Sequence, residues 1–112
     1  MTFRGLTGLV LAGALLSAGH VPAFADQTGF ASMHTQARVG GKMCMTDHYH
    51  YGSGTGATKA AAQRDAIGSW QSFTDFEYGS DWARFGKAVG KRMSCSQSGG
   101  GYSCQVEARP CR

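Results

Sequence analysis

Residues 93–111, Met-Ser-Cys-Ser-Gln-Ser-Gly-Gly-Gly-Tyr-Ser-Cys-Gln-Val-Glu-Ala-Arg-Pro-Cys, decide the fold. Met93, Cys95 and Gln97 alternate with Ser94, Ser96 and Ser98, and Tyr102, Cys104, Val106 and Ala108 alternate with Ser103, Gln105 and Glu107. Period two on both sides of Gly99-Gly100-Gly101 reads as a β-hairpin. If Tyr102, Cys104 and Val106 face a core, a turn of two or four residues also brings Met93 and Cys95 inward. A three-residue turn sets serines opposite them, because a one-residue slip moves a whole side-chain set to the other face, and is rejected for that reason. The accepted register puts Cys95 across from Cys104, near enough to bond in a non-hydrogen-bonded pair. Cys44 and Cys111 then form a second bridge, although four cysteines allow three pairings.

Upstream of the hairpin the period changes from two to that of a helix. Lys59-Ala60-Ala61-Ala62-Gln63-Arg64 are strong helix formers, with Thr58 or a neighbour to cap them. Ala62, Ala66, Trp70 and Phe73, with Ile67 beside them, gather one apolar stripe that should face the sheet. Gly79 interrupts the pattern. Ser80-Asp81 then caps a second, shorter helix in which Trp82, Phe85 and Val89 recur at steps of three and four, and Gly90 ends it. Gly52-Ser53-Gly54-Thr55-Gly56 reads as a loop. Thr35 to Tyr51 reads as one strand, bent near Gly40-Gly41, in which Val39, Met43, Met45, Tyr49 and Tyr51 share a parity opposite to that of Cys44, His48 and His50.

The amino end carries Arg4, an apolar small-residue run from Gly5 to Ala18, and a short polar stretch ending in Ala23-Phe24-Ala25. That order predicts a cleavable signal peptide over residues 1–25, with the cut before Asp26. The apolar run is shorter than the ~20 residues a bilayer-spanning helix needs, so no transmembrane segment is expected in the mature chain. Residues 26–34 lack a sustained period and read as a flexible segment, and 35–112 as a single domain. The 112 residues carry a formal charge of +4, one unit of which, Arg4, leaves with the leader. A domain this small buries a thin core, so an even number of cysteines in an exported chain reads as disulfide staples. The absence of a C-x-x-C spacing argues against a zinc ribbon and a thiol oxidoreductase.

The expected fold is therefore a small disulfide-bonded α+β domain: a strand, two helices or one helix kinked at Gly79, and a C-terminal hairpin. Its three-stranded antiparallel sheet carries the helices on one face.

Ala62, Ala66-Ile67, Trp70, Tyr78-Gly79, Trp82 and Ala88, followed by Cys95, Cys104 and the closing Ala108-Arg109-Pro110-Cys111, carry a resemblance to a group of small exported proteins of alphaproteobacteria. It covers about the last 55 residues. The resemblance implies export and this helix-then-hairpin order, and brings no catalytic residue with it.

Two constellations suggest function. Arg84, Lys87 and Lys91, with Arg92 just beyond, fall on one side of the expected short helix, away from Trp82, Phe85 and Val89. Such a basic face suits an anionic envelope component or the acidic surface of another periplasmic protein. Met43-Cys44-Met45-Thr46-Asp47-His48-Tyr49-His50 gathers soft and nitrogen ligands. On extended backbone Met43 and Met45 share one face and His48 and His50 the other, thioethers suiting copper(I) and imidazoles copper(II) or zinc. The same methionines also suit a core. Asp75, Glu77 and Asp81 read as solvated or capping carboxylates, and no spacing suggests an activated nucleophile. The expected function is a non-enzymatic periplasmic or secreted binding protein, envelope-associated, with no cofactor and no nucleic-acid partner. The alternative is a periplasmic copper- or zinc-binding accessory protein working through Met43, Met45, His48 and His50.

Overall fold

The computed structural model describes residues 28–112; the leader expected over 1–25 lies outside the described residues. The chain runs through α1 (Gly29–Met33), β1 (Gln36–Val39), β2 (Lys42–Met45), β3 (His50–Gly56) and α2 (Lys59–Tyr78). Two 3₁₀ turns (Ser80–Trp82 and Phe85–Lys87) then lead into β4 (Val89–Ser98) and β5 (Gly101–Arg109). Strands β3, β5 and β4, in that spatial order, form a three-stranded antiparallel sheet, and β1 and β2 a separate hairpin. The domain is α+β, with α2 packed on one face of the larger sheet.

The C-terminal hairpin has the register its alternation requires. Ser98 pairs with Gly101 around a two-residue turn, Cys95 with Cys104 and Met93 with Val106. Gly99 and Gly100 both take positive φ, 56° and 84°, as the tight turn that matches strand twist demands. Cys95 and Cys104 are disulfide-bonded, as are Cys44 and Cys111. The second bridge fastens the carboxyl tail alongside β2, where Met43 and Arg112 exchange backbone hydrogen bonds of 3.1 and 2.8 Å and Met45 N–H donates to Pro110 C=O at 2.9 Å.

Helix α2 begins where expected: the Thr58 hydroxyl accepts the Ala61 N–H at 3.1 Å. Its buried stripe is Ala62, Ala66, Trp70, Thr74 and Tyr78, recurring at steps of four. Phe73, expected on that stripe, is half exposed instead, and a threonine takes the inward position. Trp70 is fully buried and its indole N–H donates to the Ala108 carbonyl at 3.2 Å, which ties the helix to β5 and leaves no orphan donor.

Three further expectations are corrected. The glycine-rich stretch 52–56 is not a loop but the body of β3. Its inward positions are Gly52 and Gly54, with Gly56 following, and a Cβ on Gly54 would stand 2.2 Å from the Ala66 nitrogen, one on Gly52 2.3 Å from the Ala66 carbonyl oxygen. Alternate glycines let α2 lie directly on the strand, a close backbone approach that turn propensity alone conceals. The single strand expected over 35–51 is three strands, because Gly40, at φ 63°, turns β1 back onto β2 before β3 begins. The helix expected after Gly79 is the two 3₁₀ turns followed by β4; Gly86 and Gly90 break any longer helical run.

A second, smaller core holds Ala31, Met45, Tyr78 and Trp82, with Met43 packed against it. Helix α1, within the segment read as a lead-in, reaches it because Thr28 N–H donates to the Tyr78 carbonyl at 2.9 Å and its hydroxyl donates to the Glu77 carbonyl. These bonds set α1 against the end of α2. Among the described residues, no helix is long and apolar enough to cross a membrane.

Candidate metal centre

The β1–β2 hairpin brings its flanking residues together. Thr46 N–H donates to Thr35 C=O at 3.0 Å, and Thr35 N–H is shared between the two carboxylate oxygens of Asp47 at 3.0 and 3.1 Å. That N–H bond is the largest of the effects holding the Asp47 carboxyl below its ordinary range. The closure places His34, just before Thr35, beside His48, just after Asp47, with ring centroids 5.4 Å apart.

The last turn of α2 supplies the rest. One nitrogen of His34, one of His48 and a carboxylate oxygen of Glu77 all lie within 4.8 Å of one another. His48 is exposed, and His34 and Glu77 are partly buried, so the group opens to solvent. Nδ1 of His34 is 2.7 Å from the Phe30 carbonyl oxygen, which can only accept; the ring therefore carries its proton on Nδ1 and turns Nε2 toward Glu77, 3.8 Å from Oε1. Nε2 of His48 shares a hydrogen bond of 3.1 Å with the Tyr78 hydroxyl. Burial first, and then the charges of Glu77 and Asp47, push the Tyr78 hydroxyl upward, so it stays a phenol and keeps its proton.

His50, the first residue of β3, lies beneath this group. It is 1% exposed, stacks on Tyr78 at 4.6 Å and touches Phe73 at 4.7 Å. Its Nε2 lies 3.2 Å from Oε2 of Glu77 without the alignment a hydrogen bond requires. Burial, then the neighbouring His48 and His34, holds the imidazole down to about 4, so it is neutral at pH 7.

Of the ligands expected on residues 43–50, the two histidines do share a face and stack at 5.3 Å. The methionines do not join them as a site: Met45 is fully buried with Ala31, Tyr78 and Trp82, and Met43 packs on that cluster. The four basic residues do not share a helical face. Arg84 and Lys87 belong to the 3₁₀ region; Lys91 and Arg92 lie on β4, Lys91 over the Phe85 ring at 5.1 Å and Arg92 paired with Glu107 at 3.5 Å. Glu77, read from the sequence with Asp75 and Asp81 as a solvated or capping carboxylate, is instead partly buried against His34 and His50. His34 has no local signal in the sequence.

No family model, curated protein or solved structure matches the chain. The chemistry of the site therefore rests on its own geometry. All four cysteines are in disulfides, which leaves imidazole nitrogen and carboxylate oxygen as the donor set. That set suits divalent ions of borderline softness, zinc, copper(II) and nickel, rather than copper(I).

Proposed function

We propose that this is an exported, disulfide-bonded, non-enzymatic protein that binds one divalent transition-metal ion through His34, His48 and Glu77. The observation that carries the reading is the convergence of these three side chains from three separate segments within 4.8 Å. Ligand atoms about 2.0–2.2 Å from one zinc ion stand roughly 3.3 Å apart, so small side-chain rotations bring the three onto one ion. Convergence across the fold also distinguishes the cluster from histidines that are merely neighbours in sequence. His34 is already held by the kind of outer hydrogen bond, N–H to a backbone carbonyl, that orients metal-binding imidazoles.

Two disulfides support a periplasmic or secreted location, where thiols oxidise and metal ligands without thiolates are the ones that remain. The signal-like amino end supports the same compartment.

Isothermal titration of the disulfide-bonded protein with zinc, and separately with copper(II), tests the reading. The expected result is saturable binding of one ion at micromolar concentration, weakened at least tenfold by His34→Ala and by His48→Ala. Heat changes that never saturate, or unchanged affinity in both variants, would overturn it.

A further inference from the structure

His50 makes a hydrogen bond whose direction can be assigned. The Thr74 hydroxyl lies 2.7 Å from the Trp70 carbonyl, to which it donates its single proton, and 2.9 Å from Nδ1 of His50. With that proton committed, Thr74 Oγ1 can only accept, so Nδ1 of His50 carries the N–H. In the neutral ring Nε2 is then a bare lone pair, sealed from water, with no hydrogen-bond partner and 3.2 Å from Oε2 of Glu77. His34 repeats the arrangement on the other side: its N–H is fixed outward on Phe30 C=O and its Nε2 faces Oε1 of the same carboxylate at 3.8 Å. Two imidazole lone pairs thus converge on one carboxylate, an array made of acceptors alone, the arrangement that a cation satisfies.

Resting on the metal-binding reading above, we propose that His50 is a further ligand of the same ion, which completes a four-coordinate site of three imidazoles and one carboxylate suited to zinc(II). The spacing supports that geometry. Neighbouring ligand atoms on a tetrahedral zinc are about 3.3 Å apart. The 3.2 Å between Nε2 of His50 and Oε2 of Glu77 lies within that reach, and the 3.8 Å between Nε2 of His34 and Oε1 closes to it by a small side-chain rotation. Thr74 is the positioning residue: it fixes the His50 tautomer and is itself fixed by the Trp70 carbonyl, the outer shell on which ligand orientation depends. Four protein ligands leave no open coordination position, so the site holds or buffers an ion and does not activate water.

Two measurements test this on the disulfide-bonded protein. In the ¹⁵N-labelled wild type loaded with ¹¹³Cd, one-bond couplings to three imidazole nitrogens are expected, Nε2 of His50 among them. Couplings to His34 and His48 alone would overturn the His50 assignment and leave the metal-binding reading standing; no coupling, with Nε2 of His50 carrying a proton shared with Glu77, would overturn both. The second measurement uses cobalt(II). The wild type should show the intense visible absorption of a four-coordinate ion. His50→Gln should lose that intensity with at least a tenfold fall in affinity, and Thr74→Val should weaken binding roughly 10–100-fold while keeping the band shape. An unchanged cobalt spectrum and affinity in His50→Gln would contradict the proposal.

Discussion

A Cβ on Gly54 would stand 2.2 Å from the backbone nitrogen of Ala66, so strand β3 and helix α2 touch through their main chains. No flexible side chain lies between them to give way. Gly54→Ala is therefore expected to cost at least the ~1–3 kcal/mol typical of overpacking. Gly68, on the same helix, is the control, since a methyl group there would meet nothing within 4 Å. Gly68→Ala should stabilise by up to about 1 kcal/mol through helix propensity. Urea denaturation of both variants checks the pair, and equal effects would contradict the close-contact account.

The two disulfides should differ in consequence. Cys44–Cys111 closes a separation of 67 residues and Cys95–Cys104 one of 9. The chain-entropy model gives about 4 kcal/mol for the first and about 2.5–3 kcal/mol for the second. The first also fastens the hairpin that positions His34 and His48 to the carboxyl tail. Replacing Cys44 and Cys111 with serine should lower zinc affinity as well as stability, whereas replacing Cys95 and Cys104 should lower stability alone. Denaturation and zinc titration of both double variants measure the two effects separately.

Acid should destabilise the metal-free protein through His50. Burial, followed by the charges of His48 and His34, lowers its pKa from 6.5 to about 4. The unfolded chain takes up this proton below about pH 6.5 and the folded chain not until about pH 4, so the unfolded state binds more protons between the two. The contribution is fully present above about pH 6.5, declines as pH falls through that window, and amounts to on the order of 3 kcal/mol. Urea midpoints in the presence of a chelator should fall from pH 7 to pH 4, and His50→Gln should flatten the decline. An equal decline in the variant would contradict the assignment.

Glu77 is expected to matter to metal more than to folding. Its carboxylate lies between His34 and His50 at 3.8 and 3.2 Å and is partly exposed. Glu77→Gln keeps the shape and removes the charge, so zinc affinity should fall at least tenfold while the metal-free melting temperature moves by only a few degrees. In the wild type, zinc at about 100 times its Kd should add about 2.7 kcal/mol of stability, and in the variant about 1.4 kcal/mol or less at the same concentration. Thermal melts with and without zinc measure both.

The parts of the molecule that were legible in its sequence are those whose physics is local. The hairpin around Gly99-Gly100 was readable because period two, a glycine turn and the facing cysteines agree on one register. Helix α2 was readable from its cap at Thr58 and its fourfold spacing. Strand β3 was hidden because its inward residues are glycines, chosen for what packs on them rather than for strand propensity. The spacing of Trp82, Phe85 and Val89 imitated a helix, yet Gly86 and Gly90 stand within it and the chain turns through 3₁₀ geometry into β4. The histidine site was half legible: His48 and His50 share a face on any extended backbone, but His34 and Glu77 join them only through the β1–β2 closure and the Thr28 anchor on α2. Those are tertiary facts with no sequence period.

The most direct measurement of the central claim is the metal content of the disulfide-bonded protein after dialysis against excess zinc and removal of free ion, read by elemental analysis and native mass spectrometry. The wild type should retain one zinc per chain and the His34→Ala, His48→Ala double variant none. A wild type that retains no zinc, or a double variant that retains as much as the wild type, would contradict the account.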